Sequence, residues 1–119
     1  MRLTVKEQER ILIFNVAEMS RRRWKRGIRL NYIEAQAIIM DELLERARAG
    51  MNNVTELMDI GSRILSEEDV MEGTAALMPE IMFEVTLPDG TKLVTVHDPI
   101  RLEKMTETIP KEKLISLNY

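Results

Sequence analysis

The apolar residues in the first half of the chain recur at helical spacing. Residues 5–26 carry Leu12, Val16 and Met19 on one face of a predicted helix. A second predicted helix, residues 32–49, repeats an apolar side chain at every fourth position, at Ala35, Ile39, Leu43 and Ala47. Both segments are long enough to pack together as the main helical pair.

Helix-start signatures and glycines mark the ends of these two helices and of two further elements. Each signature pairs a capping side chain with an acid three residues later, which reaches back to the N–H of the cap. The pairs are Thr4…Glu7, Asn31…Glu34, Asn53…Glu56 and Ser66…Asp69. Candidate helix ends follow at glycines, which adopt the left-handed cap conformation at little cost: Gly27, Gly50, Gly61 and Gly73. Two short helices are therefore expected at residues 54–65 and 67–72.

After Pro79 the pattern changes from helical to alternating, which predicts a strand with four apolar side chains on one side: Ile81, Phe83, Val85 and Leu87. The Pro-Asp-Gly sequence that follows is typical of a bulged three-residue hairpin loop. Residues 92–97 then form the returning strand. The predicted fold class is α+β, with a four-helix bundle-like part followed by a two-stranded antiparallel β-hairpin.

The predicted register pairs Leu87 with Thr91, so that Phe83 faces Thr95 and Ile81 faces His97. This register leaves apolar side chains on both faces of the hairpin. A two-stranded hairpin is marginal in water, and its own helices can cover only one face. We therefore expect a partner protein, with contacts at Phe83, Val94, Val96, His97 and Pro99.

Residues 101–119 are charged and show no sustained period before Leu114. The sequence thus divides into a domain at residues 1–100 and a C-terminal tail at 101–119 that we expect to be extended or bound to a partner.

The composition is that of one folded domain. The chain has 119 residues, of which 45% are hydrophobic and 31% charged, and its net charge is −3, which disfavours disorder and a globally basic nucleic-acid binder. No cysteine is present, and no apolar run approaches the ~18 residues of a membrane span. The cytoplasm is the expected location, with no membrane partner.

Little in the sequence indicates chemistry. His97 is the single histidine, whereas a transition-metal site in a protein without cysteine ordinarily needs two or three imidazoles with carboxylates. The acidic groups near Asp41 and Glu67 are typical of solvated helix faces or first turns, and no phosphate loop or nucleophile motif is found. We expect no catalytic residue, no cofactor and no metal ligand in this chain.

One local anomaly is the segment Arg21–Arg29, with six cations around Trp24. Cations beside an aromatic ring are typical of a nucleic-acid surface, and a small nucleic-acid-binding or protein-interaction module is the alternative function. Cations also favour a helix C-terminus and pair with acids, and this interpretation is preferred because the rest of the chain is acidic.

Taken in order, several segments resemble the gamma subunit of urease. They are Leu3-Thr4…Glu7, Arg22-Arg23…Arg26-Gly27-Ile28-Arg29-Leu30-Asn31-Tyr32…Glu34-Ala35, Ala47-Arg48…Gly50, Glu56-Leu57-Met58, Val70-Met71-Glu72-Gly73, Met78-Pro79-Glu80-Ile81 and Pro88–Ile100. The resemblance covers residues 1–100, and its last segment is the most specific.

The resemblance implies a non-catalytic structural subunit of the nickel enzyme that hydrolyses urea to ammonia and carbamate. It implies beta and alpha subunits as partners, arranged as a trimer of heterotrimers or larger, with the nickel in the alpha subunit and accessory proteins that load nickel onto the complex. Gamma chains of this kind commonly stop near Ile100, so the tail is interpreted as a remnant of a fused beta segment, an artificial end or an added contact arm.

Overall fold

A computed structural model describes residues 1–117 of the chain. The helices are α1 (Val5–Lys25), α2 (Tyr32–Arg48), α3 (Val54–Gly61) and α4 (Thr74–Leu77). The strands are β1 (Glu80–Leu87) and β2 (Gly90–His97), which pair antiparallel. The predicted α+β class, with helices first and a hairpin after them, is confirmed.

Three of the predicted helix starts form as reciprocal capping boxes. At α1, the Glu7 N–H donates to Thr4 Oγ1 at 3.1 Å, and the Thr4 N–H donates to Glu7 Oε1 at 2.8 Å. The bond that the Glu7 carboxylate accepts from the Thr4 N–H, together with a contribution from the Thr4 side chain, lowers the pKa of Glu7. The boxes at Asn31 and Asn53 have the same two bonds. Local chemistry therefore fixes where α1, α2 and α3 begin.

The two short helices differ from their predicted extents. The third ends at Gly61, four residues before the expected end. The helix expected at 67–72 is a single 3-10 turn, Glu67–Asp69. It ends there because the Asp69 carbonyl and the Met71 N–H both hydrogen-bond to the backbone of Leu30, which holds Val70 extended. Gly73, expected to end that helix, instead precedes α4 in the left-handed conformation, with φ 85°.

The hairpin register differs from the predicted one by a single residue. Leu87 pairs with Gly90 across a two-residue loop, so Phe83 lies opposite Val94 and Ile81 opposite Val96. A slip of one residue moves a whole strand's side chains to the other face. The observed register puts Val94 and Val96 on the same face as the apolar side chains of β1, and burying a valine side chain stabilises by about 1.5–3 kcal/mol.

The core lies around α2, which α1 and β1 both contact, while β2 packs on α3. All four predicted core positions of α2 are fully buried: Ala35, Ile39, Leu43 and Ala47. Gly61 permits the close approach of α3 to the sheet, since a Cβ there would lie 2.8 Å from Val96 Cγ2 and 3.0 Å from Leu43 Cδ1.

Helix α1 faces α2 with small and charged residues, contrary to its expected apolar face. Leu12 and Met19 are exposed and Val16 is half-buried, whereas Ala17, Ser20 and Arg21 are buried. The buried side of α1 accommodates a charge because that charge is paired: Arg21 Nη1 lies 2.7 Å from Asp41 Oδ2 of α2.

The tail does not extend away from the body in the part that the structure describes. Residues 101–117 return along the helices through three 3-10 turns, Met105–Glu107, Lys111–Lys113 and Ile115–Leu117. Leu114 and Ser116 of this segment are buried. The segment packs on the body through the apolar Leu114 side chain and through the N–H groups of Ile115 and Ser116, which donate to Glu42. Residues 118 and 119 of the predicted tail lie outside the described part.

Candidate subunit-contact surface

The outer face of the hairpin carries two exposed apolar side chains. Met82 and Leu93 are 56% and 57% exposed. They are diagonal neighbours, because Met82 pairs with Thr95 and Leu93 with Glu84. The sheet formed by the described residues has two strands, so each strand also has an edge without a strand neighbour.

A stripe of apolar residues continues on the outward side of α1. Val5, Leu12 and Met19 follow each other at seven-residue spacing, about two helical turns, and are 71%, 62% and 45% exposed. Lys6 Nζ lies 2.8 Å from Glu84 Oε2, so the first turn of α1 is near the outer face of the hairpin. We call the residues Val5, Leu12, Met19, Met82 and Leu93 the outer surface.

The predicted contact residues lie mostly elsewhere. Val94 and Val96 are completely buried within this chain, and Phe83 and Pro99 are buried as well. The expected exposure of these four side chains is wrong. The register difference at the hairpin loop buries Val94 and Val96, and Phe83 packs in the core with the other apolar side chains of its strand. Their role at a subunit contact remains a prediction, and the exposed large apolar side chains of the hairpin are Met82 and Leu93.

His97 is the predicted contact residue that remains at the surface. Its side chain is 70% exposed, and its Nδ1 lies 3.6 Å from Oε2 of Glu80, its partner across the strands. The His97 carbonyl accepts from Arg101 Nη2. In the described residues 1–117, no three histidine, cysteine, aspartate or glutamate side chains come together as a group that could hold a metal ion.

The first arginines of the Arg21–Arg29 cluster are engaged within the chain. Arg21 also contacts Glu18, Arg22 Nε lies 3.3 Å from Glu18 Oε2, and Arg23 pairs with Glu34. These contacts agree with the interpretation of the cluster as a helix end with paired arginines. Sequence reasoning could not identify the partners, because Asp41 and Glu34 are far away along the chain.

The aromatic residue of that cluster is not available for stacking on a base. Trp24 is 5% exposed, and its Nε1–H donates to Asp69 Oδ1 at 2.8 Å. Lys111 Nζ lies 4.3 Å from the centre of the Trp24 ring. A side chain that stacks on nucleic-acid bases must expose the face of its ring. The Trp24 ring is buried in the fold and cannot do so.

Burial is the largest single influence on the pKa of Glu34, but it does not set the direction of the shift. Burial acts to raise the pKa of this carboxyl, but the hydrogen bond from the Asn31 N–H and the ion pair with Arg23 outweigh it and hold the pKa below its ordinary value of 4.5. The ion pair therefore links α1 to the start of α2 over the neutral pH range.

A two-stranded hairpin packed on helices, with two exposed apolar side chains on a largely polar outer face and with open strand edges, defines a class of small α+β protein. Within this class the chain belongs to the urease gamma subunit family. The model of that family, described as "Urease, gamma subunit", matches residues 1–100, which is most of the chain. The resemblance stated from the sequence is thereby confirmed.

Among the described residues, no helix combines the length and the apolar character needed to cross a membrane.

Proposed function

We propose that this chain is a non-catalytic subunit of a urease complex, which hydrolyses urea to ammonia and carbamate. Membership of the gamma subunit family supports this role, and it implies a hydrolase complex with other subunits. The observation that supports a role in subunit association is the outer surface. An apolar stripe on α1 and an apolar pair on the hairpin are left uncovered by the chain's own packing.

The proposed partners are the beta and alpha subunits of urease, in a trimer of heterotrimers or a larger assembly. The outer surface suits such a partner because it is apolar with charged side chains around it, as at protein interfaces. Met82 and Leu93 supply buried contact area on association, and Glu84 with Lys6 lies beside them. The proposed location is the cytoplasm, supported by the absence of cysteine.

Nickel, which this enzyme class requires, does not fit the residues described here. The one histidine faces a single carboxylate, and a nickel site prefers several nitrogen ligands. We therefore assign nickel to the alpha subunit and derive no step of the reaction through this chain. Its proposed contribution is to hold the catalytic chain in its oligomeric arrangement.

The test is to place charge in the outer surface and measure assembly. The double variant Met82→Asp, Leu93→Lys should fold as the unchanged chain does, because both positions are exposed. We expect it to co-purify with the other subunits at least tenfold less when the complex is reconstituted. The matched control is Leu77→Lys, which adds a charge at an apolar position 67% exposed on α4.

Equal recovery of the complex with the double variant and with the unchanged chain would contradict the proposed contact. Mass photometry of the reconstituted mixture gives the fraction assembled, and circular dichroism of each variant alone verifies that it is folded.

A further inference from the structure

The last described residues, 109–117, lie across one face of α2 and beyond the region that the family model matches. We call residues 109–117 the strap. The hairpin and helices of residues 1–100 form their elements and sheet without it. The strap is thus an addition to a body whose secondary structure is already complete.

Glu42 of α2 holds the strap through its backbone. This carboxylate is fully buried. Its Oε1 accepts from the Ser116 N–H at 2.9 Å and from the Ser116 hydroxyl at 2.6 Å, and its Oε2 accepts from the Ile115 N–H at 3.0 Å. The remaining donor is Arg46 Nε, at 2.7 Å from Oε2. Three of these four hydrogen bonds therefore come from the strap.

Arg46 and further contacts also attach the strap, one of them the Lys111 ammonium over the ring of buried Trp24. Arg46 Nη2 donates to the Lys113 carbonyl at 2.9 Å, and its Nη1 donates to Asn52 Oδ1 at 3.2 Å. Leu114 is 1% exposed and enters the core cluster. At the other end of the strap the Ile109 N–H donates to the Arg63 carbonyl at 2.8 Å.

This set of contacts is the chemistry by which proteins bind peptides. Buried charged side chains satisfy backbone N–H and C=O groups, and one apolar side chain, Leu114, is buried in the core. The connecting residues 103–107 are exposed, so little burial holds the strap to the body on that side.

We propose that the α2 face around Glu42 and Arg46 is a peptide-docking groove whose occupant is the chain's own strap. The strap leaves the groove by local opening while residues 1–100 stay folded. When the strap leaves, water molecules replace its amides as hydrogen-bond donors to Glu42. The released groove then presents the Glu42 carboxylate beside the apolar site that Leu114 occupied.

The experiment uses the full chain with its strap weakened. Leu114→Ala with Ser116→Ala removes the anchor and one donor of the strap but leaves the groove residues unchanged. A fluorescent synthetic peptide of residues 108–117 should bind this variant saturably. It should bind the unchanged chain, whose groove is filled, at least tenfold more weakly.

Two controls test whether the peptide uses the groove. Adding Glu42→Gln to the variant should reduce peptide affinity at least tenfold. Making the Leu114→Ala and Ser116→Ala changes in the peptide should have an effect of the same size. Absence of peptide binding by the folded variant, or equal binding of the altered peptide, would overturn the proposal.

Hydrogen exchange on the unchanged chain gives a second test that needs no weakened variant. The amides of Ile115 and Ser116 should exchange at least tenfold faster than those of Ile39 and Leu43 in the core of α2, because local opening releases only the strap. Exchange of all four at one rate would show that the strap leaves only on global unfolding, which contradicts a separable occupant.

Discussion

At the scale of single residues, the position of a charge in the fold decides its role. Arg21, Arg22 and Arg23 are consecutive cations, yet the first is buried against Asp41, the second lies at the surface beside Glu18, and the third pairs with Glu34. Their sequence indicates a basic patch. In the structure, Arg21 and Arg23 form ion pairs that join α1 to α2.

The Glu34 carboxylate gives a prediction of pH dependence. Because its folded pKa is lowered below 4.5, the stability it contributes is complete above pH 4.5 and is lost as pH falls through the lowered value. Glu34→Gln should lower the free energy of unfolding at pH 7 by about 1–2 kcal/mol and flatten its pH dependence below pH 4.5. Urea unfolding at a series of pH values measures both effects.

The control for that experiment is Glu9→Gln, which removes a charge from the exposed side of α1. If Glu34→Gln and the unchanged chain gave parallel curves of stability against pH, Glu34 would not be the linked group.

At the scale of elements, much of the fold could be predicted from short-range chemistry. The caps at Thr4, Asn31 and Asn53 fix three helix starts, and the alternating pattern after Pro79 identifies β1. The hairpin register could not be predicted, because a Pro-Asp-Gly loop is compatible with two loop lengths. The choice depends on Val94 and Val96 entering a core that only the complete fold provides.

Gly61 tests the packing of α3 against the sheet. Alanine in a helix ordinarily stabilises by about 1 kcal/mol relative to glycine. Here its Cβ would lie 2.8 Å from Val96 Cγ2, and overpacking a well-filled core costs about 1–3 kcal/mol. Because Val96 is stiff and fully buried, Gly61→Ala should lower the melting temperature.

Thr55→Ala, on the exposed side of the same helix, is the matched control for helix propensity and should leave the melting temperature nearly unchanged. A Gly61→Ala chain that melts higher than the unchanged chain would show that the contact with Val96 relaxes without cost.

At the scale of the whole molecule, the sequence predicts that the hairpin needs a partner, but it does not identify which side chains are exposed. The sequence indicates that a lone hairpin needs a partner, while the side chains first assigned to that contact are buried. The apolar stripe on α1 was visible as Leu12 and Met19, but periodicity alone cannot tell an outward apolar face from a core-facing one. The buried side of α1 carries the Arg21–Asp41 pair, which leaves the apolar stripe at the surface.

The packing of the tail also could not be predicted from sequence patterns. Residues 109–117 show no regular period, and their attachment depends on a buried carboxylate about seventy positions earlier in the chain. Such long-range polar contacts leave no local signature in the sequence.

The central claim is that this chain works as a subunit of urease, and one measurement tests it most directly. The tagged chain is purified from its native cell extract, the eluate is assayed for ammonia release from urea, and the co-purifying chains are weighed. The account predicts urea hydrolysis in an eluate that contains a large second chain, and none from the tagged chain purified alone. An eluate holding the chain by itself, without urea hydrolysis, would contradict the claim.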